Sequence, residues 1–266
     1  MKTATIVSLL AFSLLSCHKN AEPTLPPFNT EYELQNRAEA LAAYDAANYG
    51  IYKGVVINAQ DSTATFKFNL YNNSRQPYAL FYRNRKVQDS LIRYVKDNTG
   101  YLLIPQKADT TTIPFNSSFY FTYFSSYSIG HGTALVGFNV SANGTAYHMD
   151  TQLYGNATLN AVLKETSNNQ VLCFEGTYNG ADSGRIAFVM STDSIVAIRA
   201  SVWNPQFFKV ATAHVSGNAF TLRQEEDASG NAFIFNGTVQ NNSCTGTWTK
   251  SSAPSVVNQF KAVRTL

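Results

Sequence analysis

Charged side chains are scarce in this chain: they make up 14% of it, against about 25% in an average soluble domain. Its 20 lysines and arginines nearly balance its 17 acidic residues, for a net charge of +3. No basic run is long enough to track a phosphate backbone, which argues against a nucleic-acid partner. There are four histidines and three cysteines, and none stands at the spacing of a metal motif, so no metal is expected. A Gly-x-Ser-x-Gly elbow, a phosphate loop and a dinucleotide fingerprint are all missing, which removes the usual sequence grounds for a hydrolase, a nucleotide site or another cofactor. Beyond residue 16 no apolar run approaches the ~20 residues of a transmembrane helix, so the remainder is expected to be soluble.

The one apolar run is at the beginning. Lys2, the stretch from Ala4 to Leu15 and the small Ser16 have the form of an export signal, too short for a permanent span. Leu14-Leu15-Ser16-Cys17 resembles the lipobox of bacterial lipoproteins. That resemblance implies removal of residues 1–16, acylation of Cys17, attachment to a membrane and a place in the cell envelope, as an outer-membrane lipoprotein. Lys19 and Glu22 only faintly resemble the signal that sends some such proteins to the cell surface, so both the surface and the periplasmic side stay open. Residues 17–29, polar and rich in proline, suit a semi-rigid tether.

Residues 30–48 carry a helix signature: Thr30 and Glu33 make a capping box, alanines fill the middle and Gly50 follows the end. From residue 49 the period changes to two. In 63–71, Ala64, Phe66, Phe68 and Leu70 alternate with Thr65, Lys67 and Asn69, which predicts a half-buried strand; 219–224 repeats the pattern with Phe220 and Leu222 inward. Turn signals such as Asn143-Gly144 and Gly217-Asn218 separate such runs. The expected fold is all-β, an antiparallel meander forming a barrel or sandwich over 49–266, preceded by one short helix. Tyr49 to Gly54 echoes Phe174 to Gly180, and Gly144 to Tyr147 echoes Gly246 to Trp248, which divides the β part into related units of about 49–165 and 170–266.

The second unit resembles the lipocalin-like, or calycin, meander, in which a Gly-x-Trp plugs one barrel end. The first-strand position is Gly176-Thr177-Tyr178, with tyrosine for tryptophan, and a true Gly-x-Trp stands later at Gly246 and Trp248. The resemblance implies a barrel. Cys173 and Cys244 could pair in an oxidising compartment, but Cys244 shares the face of Trp248 whereas Cys173 lies opposite Phe174 and Tyr178. Strand parity therefore points the two sulfurs apart.

Two stretches stand out as candidate surfaces. Residues 117–128 place Phe119, Phe121 and Tyr123 on one side of a strand and Tyr120 and Phe124 on the other. Such a strand is buried between layers, walls a ligand site or meets a partner. The run 78–86 interleaves Arg83 and Arg85 with aromatics, which reads as a charge-guarded edge strand or as a patch for an acidic glycan or lipid head group. His131 reads as a turn residue, and His148 with Asp150 as a solvated pair. Glu175, Glu225 and Glu226 could serve a glycosidase only if two of them converged. The function expected is non-catalytic binding of a small apolar or glycan ligand. The alternatives are a structural or assembly subunit that binds an envelope protein, and an envelope hydrolase.

Overall fold

A computed structural model describes residues 32–46, 50–58, 63–70, 72–73, 78–83, 86–96, 99–104, 107–114, 118–124, 133–140, 147–153, 156–202, 208–225 and 229–266. Between residues 83 and 158, and at a few further strand positions, the description is of the backbone alone. The lipobox with Cys17, the tether, Arg85 and His131 lie outside the described residues.

Among the described residues, eighteen strands form two sheets. The first holds β1 (Gly50–Asn58), β2 (Thr63–Leu70), β3 (Tyr78–Arg83), β4 (Lys86–Lys96), β5 (Thr99–Ile104), β6 (Lys107–Pro114), β7 (Ser118–Phe124), β8 (Thr133–Val140), β9 (Tyr147–Leu153) and β10 (Asn156–Glu165). Their order is β6-β5-β4-β3-β2-β1-β10-β9-β8-β7, and β7 comes close to β4 and β5. The second sheet holds β11 (Leu172–Asn179), β12 (Gly184–Met190), β13 (Ser194–Ser201), β14 (Phe208–Ser216), β15 (Ala219–Glu225), β16 (Ala232–Gln240), β17 (Ser243–Lys250) and β18 (Ala253–Arg264). It is an up-and-down barrel in chain order, closed where β18 pairs with β11. The expected all-β antiparallel fold is what the chain adopts.

Eight strands enclose a lumen about wide enough to be filled by side chains, and here aromatic rings fill it. Phe174, Tyr178, Phe188, Phe220, Phe233, Phe235, Trp248 and Phe260 are all buried in one cluster. Trp248 stacks on Phe233 at 5.0 Å and meets Tyr178 edge-on at 5.7 Å, and its indole N–H donates to the Asn179 carbonyl at 3.1 Å. Phe220 and Leu222 face this lumen as their alternation predicts.

A second core lies outside the barrel. Cys173, Ala187, Val189, Ile198 and Ala200 from the outer wall of β11 to β13 pack with Val55, Ile57, Leu80, Tyr82 and Ala161 of the first sheet. Strands β11 to β13 are therefore apolar on both faces, as strands covered on both sides must be. Cys244 belongs to the lumen and Cys173 to this junction; both thiols are free and buried.

Three expectations are corrected. Strand β2 is not half-buried: Thr65, Lys67 and Asn69 are buried like Phe66 and Phe68, because its polar row faces the junction. The N-terminal helix is a single 3-10 turn at Ala42–Tyr44. The amides of Glu39, Ala40 and Leu41 donate to the side chains of Glu165 and Asn72 instead of to a helical carbonyl, so tertiary partners override alanine propensity. Arg83 closes the β3–β4 hairpin opposite Lys86, and both strands are interior to the sheet, so the charge there guards no edge.

Gly176 stands at the closing seam. A Cβ there would lie 2.0 Å from the Lys261 carbonyl oxygen and 2.4 Å from the Ala262 Cα, both backbone atoms that cannot swing aside. Gly176→Ala is expected to destabilise the protein by about 1–3 kcal/mol or more, read by urea denaturation. Amide exchange should accelerate first along β18, and unchanged exchange there would show that the seam tolerates the methyl group.

Candidate functional site

Charge is concentrated in two buried clusters. The first lies where the segment 32–46 crosses the junction. Lys53, on β1 and wholly buried, contacts Glu165 of β10 at 2.8 Å and Glu39 at 2.9 Å. Lys67 of β2 holds the other Glu39 oxygen at 2.7 Å, and the Tyr32 hydroxyl donates to Glu39 at 2.7 Å. Glu165 also accepts the amides of Glu39, Ala40 and Val171 at 2.5, 3.1 and 2.9 Å. The strand register explains the convergence: Lys53 pairs with Lys67, and Ile51 with Glu165, so one row across three strands presents both lysines and the glutamate to the same side.

Burial alone would raise the Glu39 carboxyl, but the Lys67 and Lys53 ammonium groups outweigh it and bring it from 4.5 down to about 2. Burial alone would lower Lys53, and Glu39 with Glu165 reverses that, raising it. Burial, then the Glu39 charge, pushes the Tyr32 phenol upward. Lys53 is thus held as an ammonium and Glu39 as a carboxylate; neither is poised as a nucleophile or proton carrier at neutral pH.

The second cluster closes one end of the barrel. Arg199 of β13 points into the lumen, 3.6 Å above the Phe233 ring centroid. Its guanidinium donates to Gln224 at 2.5 Å, to the Tyr178 hydroxyl at 3.1 Å and to Asp182 at 3.2 Å. Asp182 further accepts from Ser201 at 2.8 Å and from the Ser183 amide at 2.7 Å. Burial pushes the Tyr178 phenol up to about 12 against the pull of Arg199. Stacked on Phe233 and backed by Trp248, this group is a plug with its donors engaged. Sequence reasoning missed both clusters. Their signal was a lone charge in an otherwise apolar strand, Lys53 in GIYKGVVIN and Arg199 in SIVAIRAS.

The aromatic residues Phe119, Tyr120, Phe121, Tyr123 and Phe124 belong to β7, the last strand of the open sheet. The junction with the barrel is built by β1, β2, β3 and β10, and the backbone of β7 comes close to β4 and β5. Arg83 is on β3, and of Phe119 to Phe124 and Arg83 the backbone alone is described. His148 and Asp150 are on β9, also by backbone alone. Glu175 is buried on β11 and accepts from Thr63 at 2.5 Å, whereas Glu225 is on β15 and engages Arg223. Three strands of the barrel lie between those two carboxylates in either direction, and Glu226 lies outside the described residues. Among the described residues no group of three or more His, Cys, Asp or Glu side chains could hold a metal ion. No protein-family profile, no curated protein and no solved structure matches this chain.

A depressed folded-state pKa contributes stability above the unfolded value that is lost as pH falls through the folded one. Glu39 should therefore support the fold fully above about pH 4.5 and lose its contribution, on the order of 3 kcal/mol, as pH falls toward about 2. In Glu39→Gln this part of the acid unfolding curve should flatten, as followed by tryptophan fluorescence. An unchanged acid limb would remove Glu39 from the acid response.

Proposed function

We propose that the protein is a non-catalytic binding protein of the cell envelope, held at a membrane through Cys17, in which the ten-stranded sheet is the recognition layer and the barrel its support. The observation that carries this reading is the solid lumen. The barrel is lipocalin-like in strand number and up-and-down order, yet rings fill the space that a ligand cup would need. Recognition then falls to the other sheet, which ends in the aromatic strand β7. Aromatic rings at a sheet margin suit a sugar face or a small apolar group, which they meet without a charged partner.

A second reading, docking of an envelope protein, is favoured by the terminal place of β7 in its sheet. A terminal strand offers backbone donors and acceptors for strand addition. Hydrolysis has less support, because the charged groups described above are engaged with one another.

Native mass spectrometry of the protein taken gently from its own host tests this. The expected result is a monomer carrying extra non-covalent mass, lost in the variant Phe121→Ala/Tyr123→Ala while the fold is kept. A bare monomer would sink the small-ligand reading, and a dimer or an attached protein would replace it with the second.

A further inference from the structure

The segment 32–46, here called the strap, belongs to no strand; side chains of the rest of the protein hold it. On the barrel side, Gln170 donates to the carbonyls of Gln35 and Arg37 at 2.7 and 2.9 Å, and the Arg264 guanidinium donates to the Gln35 carbonyl. On the sheet side, Asn72 donates to the Glu39 carbonyl at 3.1 Å and accepts the Leu41 amide at 2.9 Å. Lys164 donates to the carbonyls of Tyr44 and Asp45 at 2.8 and 3.0 Å. Between these holds, the Glu39 carboxylate sits on Lys53 and Lys67.

The charges within this cluster do not balance without the strap. The sheet supplies two ammonium groups and one carboxylate, Glu165; the second carboxylate, Glu39, comes from the strap. Lys53 is 0% and Lys67 9% exposed by side chain, and a desolvated ammonium left without its anion is strongly unfavourable. Glu165 and Asn72 meanwhile take three successive strap amides, those of Glu39, Ala40 and Leu41. The lysines read a glutamate side chain, and the acceptors read the backbone that follows it.

We infer that Lys53, Lys67, Glu165 and Asn72 form a socket for an extended, glutamate-bearing peptide at the junction of sheet and barrel, and that the strap is a detachable ligand for it carried in the same chain. Occupancy of the socket then decides whether the strap is clamped across the junction. A glutamate-bearing segment of another chain with the same backbone would compete for the same place.

The test uses the whole chain with a protease recognition sequence introduced between Ala46 and Gly50. After cleavage the strap fragment should stay with the body through gel filtration. Excess synthetic peptide of residues 32–46 should displace it, whereas the Glu39→Gln peptide should compete at least ~100-fold less well, the scale of breaking a buried ion pair. In a Lys67→Gln body the gap between the two peptides should narrow markedly. Three results would each overturn the inference: a strap fragment that leaves the uncompeted body on cutting, a Glu39→Gln peptide that competes as well as the native one, or a body that loses its β circular dichroism when the strap is displaced. The last would make the strap part of the core and not a ligand.

Discussion

The packing of the first sheet against the outer wall of the barrel is the contact on which the rest of the structure depends. A closed barrel can satisfy itself with one apolar face per strand, but β11 to β13 are apolar outside as well as inside. Left bare, that outer wall would be a large exposed apolar patch. Strands β1, β2, β3 and β10 cover it, and the same covering turns the polar row of β2 into a buried one. Lys67 and Asn69 are thereby forced to find partners away from water. The strap supplies one of them, the Glu39 carboxylate, and Asn72 supplies another by exchanging hydrogen bonds with Asn69.

The two buried charge clusters follow from that geometry in different ways. Arg199 lies inside a barrel that rings already fill, so its guanidinium stacks on Phe233 and spends its donors on Gln224, Tyr178 and Asp182. Lys53 and Lys67 lie between layers, and their balance is completed by a segment from outside the sheets. The Arg199 cluster fixes one barrel end. The Lys53 and Lys67 cluster ties the strap to the first sheet. Both are charge-paired and buried, so that removing one partner from either leaves a desolvated charge uncompensated.

An eight-stranded lumen can hold one small ligand when its side chains leave room, but Trp248, Tyr178 and six phenylalanines occupy this one. The proposed recognition layer is therefore the open sheet, which ends in β7.

How much of this was legible follows from period and parity. Alternation alone determined the all-β antiparallel class, the inward faces of Phe220 and Leu222, and the opposite directions of Cys173 and Cys244, because side chains on a strand alternate whatever the strand packs against. What alternation cannot say is what covers each face. Tertiary structure alone decided that the polar face of β2 is buried and that Lys53, Lys67, Glu39 and Glu165 meet. It also turned an alanine-rich helix signature into a strap with one 3-10 turn, because its amides found acceptors on Glu165 and Asn72. Those partners lie up to 126 residues away in the chain, and no local pattern encodes a neighbour that distant.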